Sequence, residues 1–423
     1  MRGLVRLAGQ SAWNRRGTLS LVMFSVALST LLLLSLERMR SDLRESFSQS
    51  VSGTDLVVGA RTGAVQLMLY SVFHIGGATN NVQVKSLEAV AAHRAVAWMV
   101  PLALGDSHRG FPVLGTTPAY FEHFRYGERL PLVLAQGRAF SGTLDGLYEA
   151  VLGAEVADAL GYRLGQRITL SHGSGLAAPG HDDKPFTVVG ILARTGTPVD
   201  RTVHVSLQAI EALHLDWAGG APLPGARIPA GQARKFDLEP RQVTAALLGL
   251  RSRAAVFLVQ RAVADYAGEP LMAVLPGVAL DELWDLVGIG EKALLAMSGL
   301  VALVSLAGLV AVVLAGLNER RRELAVLRAV GAGPRHVLLL LVTEGGLVTL
   351  AGALLGALAS ALLAWAAGPW LQARFGIALR LAAPTDGQWL MLGGVLAAGL
   401  LASGVPGWRA YRLSLADGLS PRI

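Results

Sequence analysis

Four stretches of the chain are almost wholly apolar, and each is long enough to cross a bilayer core as a helix, which takes ~20 residues. Residues 18–36 and 293–317 contain no charged side chain, residues 337–370 contain one, Glu344, and residues 388–408 contain none. The pattern predicts transmembrane helices over 18–36, 289–317, 337–371 and 388–408. Between the first two the pattern changes. About 250 residues show only short apolar runs, separated by polar residues, Gly and Pro. Within this region β-rich runs predict strands at 55–59, 113–116, 150–153, 167–170, 186–192, 203–206 and 245–250. Helical spacing predicts a helix over 86–93 with Ser86 as its N-cap, one over 155–160 stopped by Gly161, and one over 254–266. Residues 218–231 are rich in Gly, Pro and Ala and read as a loop. From Asp281 onward a helix feeds into the second span. The fold class is therefore a helical membrane protein with four transmembrane helices. A mixed α/β extracytoplasmic domain is inserted between the first and second spans, over 37–288.

Composition agrees with a membrane protein. Charged residues make up 16% of the 423, against about a quarter in a soluble domain, and 52% are hydrophobic. There is no Cys, so thiolate metal sites and cysteine nucleophiles are excluded. The net charge of +7 invites a nucleic-acid reading, but the basic residues are placed as topology signals. Arg2, Arg6, Arg15 and Arg16 precede the first span. Arg320, Arg321, Arg322, Arg328 and Arg335 lie between the second and third. Arg409, Arg412 and Arg422 follow the fourth. With four spans all three groups fall on one side, which predicts cytoplasmic termini and an external large domain. This assigns a cytoplasmic N-terminal elbow (1–17), a cytoplasmic segment (318–336), an external loop (372–387) and a cytoplasmic tail (409–423). The localisation expected is a bacterial inner membrane, multi-pass, with the large domain periplasmic. No small-x-small cleavage site follows the first span, so it reads as an uncleaved anchor.

The segment Glu319, Arg320, Arg321, Arg322, Glu323, Leu324, followed by Leu327 and Arg328 and ended by Gly331 and Pro334, bears two readings on its residues alone. One is a topology anchor at anionic lipid headgroups. The other is a short amphipathic helix that docks a cytoplasmic partner. The segment resembles the stretch between the second and third spans of MacB/FtsX/LolC-type (type VII) ABC permeases. Further points of similarity are the basic pair Arg15–Arg16, Glu344 early in the third span and the C-terminal run from Leu413 to Leu419. In the large domain they are Leu152-Gly-Ala-Glu155, Leu164-Gly-Gln-Arg-Ile168, Thr187-Val-Val-Gly-Ile191 and Gly196-Thr-Pro-Val-Asp200.

The resemblance implies a permease subunit that is not itself an enzyme. Its partners would be a cognate ABC ATPase, a second copy of the chain, membrane lipid, and a periplasmic adaptor or lipoprotein, with no nucleic acid. ATP and Mg would be bound by the ATPase, with no cofactor in this chain, and ATP-driven motion would pass through the spans to the outer domain (mechanotransmission), for export or the handling of envelope substrates. The chain has no Gly-x-x-x-x-Gly-Lys-Ser/Thr phosphate loop, so the ATPase is expected to be a separate polypeptide. Two alternatives remain: a non-transporting regulator of an envelope enzyme, and a zinc- or metal-linked permease.

Single residues carry further expectations. Glu344 is either a structural partner for arginines of the 318–335 segment, or a snorkelling acid, or a direct participant in coupling or in a proton path. Gly352 and Gly356 form a small-xxx-small face for close helix approach, or simply belong to a Gly/Ala-rich span. His172, His181, Asp182 and Asp183 flank a Gly/Ala loop. They read either as solvated loop residues or as ligands suited to zinc. The stretch 55–82 resembles one in a subgroup of stand-alone permeases linked with metal-responsive genes.

Overall fold

The computed structural model describes residues 16–77, 80–173, 180–218, 221–223, 228–319, 326, 329–375 and 383–412. The chain divides into two compact units. One comprises Met1–Asp42, Gly288–Leu371 and Leu379–Ile423, and the other Leu43–Val287 with Gln372–Ala378.

The first unit is built on four long helices, Arg16–Gln49, Pro276–Glu319, Pro334–Phe375 and Asp386–Arg412, the first two of which continue into the second unit. Each contains a segment long and apolar enough to cross a membrane. In lipid a helix is the only isolated segment that pairs all its own backbone groups, so a run without charge is driven into it. Two of the helices begin with proline, Pro276 and Pro334, whose fixed φ and missing N–H suit a first turn. The helices extend beyond the expected spans. The first runs on to Gln49, because no Pro or Gly interrupts it. The second begins at Pro276 rather than Asp281 and passes Gly288 and Gly290 without a break. Leu19, Val22 and Val26 of the first helix pack with Leu309 and Val313 of the second and with Val337, Leu341 and Val348 of the third.

The second unit is a mixed α/β domain. Its main sheet is made of β1 (Leu56–Ala60), β2 (Val96–His108), β3 (Phe111–Thr116), β4 (Leu134–Gly137), β5 (Glu149–Leu152), β6 (Phe186–Leu192), β7 (Val203–Ser206), β8 (Ala245–Leu250) and β9 (Leu271–Val274). The spatial order is β9–β1–β8–β2–β3–β7–β5–β6–β4. Only β3–β7 and β5–β6 are parallel among these neighbours. The two-residue strand Ser171–His172 pairs with the far end of β2, and Arg167–Ile168 pairs with β6. Helices Val84–Ala91 and Val256–Ala264 pack with β1 and β8 around Leu56, Val58, Leu87, Leu248 and Val259. Helices Ala154–Leu160 and Leu207–His214 bury Val156, Ala209 and Leu213 with Val113, Ala150, Val188 and Val205.

Several elements differ from the sequence expectations. β2 is a 13-residue strand, absent from the expectations, that contains Pro101 and Gly105. The Pro101 ring is tolerated, and its carbonyl accepts from Thr116 Oγ1 at 2.9 Å. Ser86 is not an N-cap. The helix starts at Val84 after extended Gln83, and Ser86 is buried inside the first turn. Leu207–His214 is an additional helix, opened by the Ser206 hydroxyl accepting from Ala209 N at 3.1 Å. Gly161 does end its helix, at φ 68.

Candidate functional site

In the helix bundle, the third helix approaches the first along its glycines. A Cβ on Gly352 would lie 2.9 Å from both the Met23 carbonyl oxygen and Val26 Cβ. One turn on, a Cβ on Gly356 would lie 2.7 Å from Thr30 Cβ and closer still to the Ala27 carbonyl. Backbones this near leave room for no side chain, the geometry that small-xxx-small spacing permits. Hydroxyls bridge the same bundle. Ser25 and Ser29 each lie 2.8 Å from the Ser305 hydroxyl, and Ser35 lies 3.0 Å from Ser360. Glu344 is 3% exposed and shares its helix face with buried Leu341 and Val348, so it points into the bundle rather than toward lipid. Glu319 ends the second helix, while Arg320, Arg321, Arg322, Glu323, Leu324, Leu327 and Arg328 lie outside the described residues.

In the α/β unit four side chains from three elements converge: Asp106, His172, His181 and His214, whose ligand atoms all lie within 4.8 Å of one another. Asp106 stands near the end of β2, where the register with β3 shifts between Leu104 and Ser107. Gly105 supplies the unusual backbone there, at φ +152. His172 is the cross-strand partner of Asp106. His214 closes the helix that Ser206 opens. His181 follows the Ser171–Gly180 bridge and is held by its own backbone, its N–H donating to the Leu170 carbonyl at 2.8 Å.

His172 Nδ1 lies 3.1 Å from Asp106 Oδ1 and 3.0 Å from His214 Nε2, and His214 Nε2 lies 3.5 Å from Asp106 Oδ1. On the other side of its ring, His214 Nδ1 is 2.8 Å from the Ile210 carbonyl. In the neutral ring that bond places the proton on Nδ1 and turns the Nε2 lone pair toward the cluster. The His181 side chain is 1% exposed, and neither ring nitrogen has a hydrogen-bond partner among the described residues. Burial pushes its pKa down to about 4, which keeps it neutral with a free lone pair at pH 7. At His214 burial also lowers the pKa, but the Asp106 carboxylate and the Ile210 carbonyl outweigh it and the net shift is upward. The Trp217 ring covers the group, 4.4 Å from the His181 ring and 5.4 Å from that of His172.

Of the four residues the sequence singled out around the loop, the structure brings together His172 and His181. Asp182 is exposed, and Asp183 lies 3.8 Å from Lys184, a fully buried ammonium held by Asp216 at 2.7 Å. Neither Asp182 nor Asp183 belongs to the cluster. Their places are taken by Asp106 and His214, which lie 66 and 42 residues from His172.

Residues 17–264 match the MacB-like periplasmic core domain, and residues 295–415 match the FtsX-like permease C-terminal family. The chain belongs to the MacB/FtsX/LolC-like ABC transporter permeases. The permease is 22% identical over 283 residues to the lipoprotein-releasing system transmembrane protein LolC of Neisseria meningitidis serogroup B. That similarity covers 66% of this chain and 62% of the relative, so the chain spans under two thirds of the curated protein it matches. Among solved structures, the periplasmic region of MacB from Actinobacillus actinomycetemcomitans is 12% identical, covering 55% of this chain and 94% of that one, with a TM-score of 0.33. The extracellular domain of the noncanonic ABC-type transporter YknZ from Gram-positive bacteria is also 12% identical, covering 52% and 99%, with a TM-score of 0.29. Its four long apolar helices and its family make the permease a multi-pass inner-membrane protein.

One of the motifs that carried the resemblance has a local physical reason in this permease. In Gly196-Thr-Pro-Val-Asp200 the buried Asp200 carboxylate accepts from Thr195 N at 2.8 Å, Gly196 N at 2.7 Å and Thr195 Oγ1 at 2.8 Å. It ties the exit of β6 to the start of β7. Gly153 must stay glycine beside it, because the Val199 and Asp200 carbonyls occupy the space of a Cβ.

Proposed function

We propose that this permease is the membrane subunit of an ABC system in which a separate ATPase drives movements of the α/β unit, for export or for handling substrates of the cell envelope. The observation that carries the proposal is the length of two helices. Arg16–Gln49 has 34 residues and Pro276–Glu319 has 44. At 1.5 Å per residue they measure about 50 and 66 Å, against a bilayer core of about 30 Å. Each therefore has length to spare beyond the membrane. One ends seven residues before β1 and the other begins two residues after β9. Both chain entries to the α/β unit are thus continuous helix from a membrane-spanning segment, and a stiff helix passes on displacement where a flexible linker does not.

In this account the ATPase acts on the basic segment 318–336, both termini are cytoplasmic and the α/β unit is periplasmic, an orientation that the distribution of Arg supports. Two copies of the chain assemble with the ATPase, which binds ATP and Mg. The Gly352/Gly356 contact keeps the first and third helices moving as one body. Replacing Arg320, Arg321 and Arg322 with Glu should leave the protein inserted, because the other basic segments still fix orientation. It should reduce co-purification of the ATPase at least several-fold. Undiminished co-purification would refute docking at this segment and leave it as a lipid anchor.

A further inference from the structure

We infer that Asp106, His172, His181 and His214 form a binding site for one zinc-class divalent cation in the α/β unit. The inference rests on the geometry of these four side chains and holds whether or not the ATPase-coupled reading is right.

The spacing comes first. Zinc binds imidazole nitrogen at about 2.0–2.1 Å and carboxylate oxygen at about 2.0–2.2 Å, in tetrahedral geometry, so neighbouring donor atoms stand ~3.3 Å apart. The separations among Asp106 Oδ1, His172 Nδ1 and His214 Nε2 are 3.0, 3.1 and 3.5 Å. These three atoms form one face of such a tetrahedron. A triangular arrangement of this kind is hard to satisfy by hydrogen bonds alone, since two imidazole nitrogens and one carboxylate oxygen must share the protons between them. The fourth donor comes from His181, within 4.8 Å of the rest.

His181 is the second, independent observation. A buried imidazole normally has hydrogen-bond partners for its nitrogens, and leaving one unpaired carries the full desolvation penalty of that group. Here both nitrogens of a 1%-exposed ring have none among the described residues, while the backbone on either side is pinned. A cation bound beside Asp106 would supply the missing partner.

The donor set selects the kind of ion. Three imidazoles and one carboxylate suit zinc, cobalt, nickel or copper(II). Calcium and magnesium prefer oxygen shells. The surroundings are those of a supported site. The Ile210 carbonyl fixes the tautomer of His214, and the Trp217 ring packs against the rings of His181 and His172. Occupancy would tie the segment carrying His172 and His181 to β2 and to the helix ending at His214, making the ion a clasp across three elements.

The test uses the full-length permease in detergent, with any affinity tag removed, stripped with a chelator and then titrated with zinc. Competition against a chromophoric chelator should give one tight equivalent per chain. Substitution with cobalt(II) should give the intense visible bands of four-coordinate cobalt, a readout on the native protein that no folding defect can mimic. His181→Ala and His214→Ala should each weaken zinc binding by more than the 10–100-fold that loss of a supporting residue typically costs. Asp182→Ala, beside the site but outside it, should leave affinity unchanged. No tight equivalent in the native protein, a six-coordinate cobalt spectrum, or equal losses in Asp182→Ala and His181→Ala would overturn the inference.

Discussion

Replacing Gly356 with Ala is the smallest change that challenges the packing of the membrane unit. The added carbon would lie 2.7 Å from Thr30 Cβ, whereas carbon atoms in contact sit at about 3.5–4.0 Å. The first and third helices must separate by roughly 1 Å, or their side chains must leave their preferred rotamers. A gap of 0.5–1 Å already forfeits about a quarter to a half of each contact energy along the seam. Overpacking of this kind costs about 1–3 kcal/mol. Gly393, in the fourth helix, is the internal control. Nothing lies within 4 Å of a Cβ built there, so the same substitution meets no neighbour. Thermal unfolding in detergent, followed by the fluorescence of the chain's eight tryptophans, compares the two. At roughly 2–4 °C per kcal/mol for a unit of this size, Gly356→Ala should lower the midpoint by about 2–12 °C. Gly393→Ala should match or slightly exceed the unsubstituted protein. If both variants melt together, the close approach of the two helices is not a source of stability and the packing argument is wrong.

Two further outcomes concern the α/β unit. Asp200→Ala leaves the amides of Thr195 and Gly196 without their acceptor in a part-buried turn. It should cost about 2–4 kcal/mol in chemical denaturation at pH 7, and a loss below about 0.5 kcal/mol would contradict the assignment. His204 is fully buried against Tyr120 and Phe121, and burial, reinforced by His74 nearby, pushes its pKa down to about 3. A folded pKa below the ordinary 6.5 means the neutral form is required. Its contribution is therefore complete above about pH 6.5 and is lost progressively as pH falls toward 3. Between pH 7 and pH 5 the loss is of the order of 2 kcal/mol. His204→Leu should remove that part of the pH dependence, whatever it does to stability at pH 7, and an unchanged slope would show that His204 does not carry it.

The membrane half was readable from the sequence because lipid imposes one rule, a long run without charge, and such runs are local. The large domain was readable where strands are short and uninterrupted, as at β6 and β7. It was not readable at β2, where Pro101 and Gly105 suggest a break that the strand absorbs with a register shift. The candidate cation site follows the same division. His172 and His181 stand nine residues apart and could be noticed together. Asp106 is paired to His172 only by strand pairing, and His214 arrives at the end of a helix whose N-cap, Ser206, reads locally as the end of a strand. Asp182 and Asp183 looked equivalent to the histidines because they are adjacent in sequence. The buried ammonium of Lys184 draws Asp183 away, and Asp182 faces solvent.

The central claim is that ATP-driven change reaches the α/β unit through the two long helices. It can be tested by measuring one distance in two states. The chain has no cysteine, so Met39→Cys and Leu286→Cys, at positions 41% and 63% exposed, give unique attachment points for spin labels on the two helices. With the labelled permease in lipid nanodiscs and its ATPase bound, the distance distribution between the labels should shift between the nucleotide-free state and a hydrolysis-blocked ATP state. It should return when the ATP is released. An identical distribution in both states, with ATP demonstrably bound, would contradict transmission through these helices.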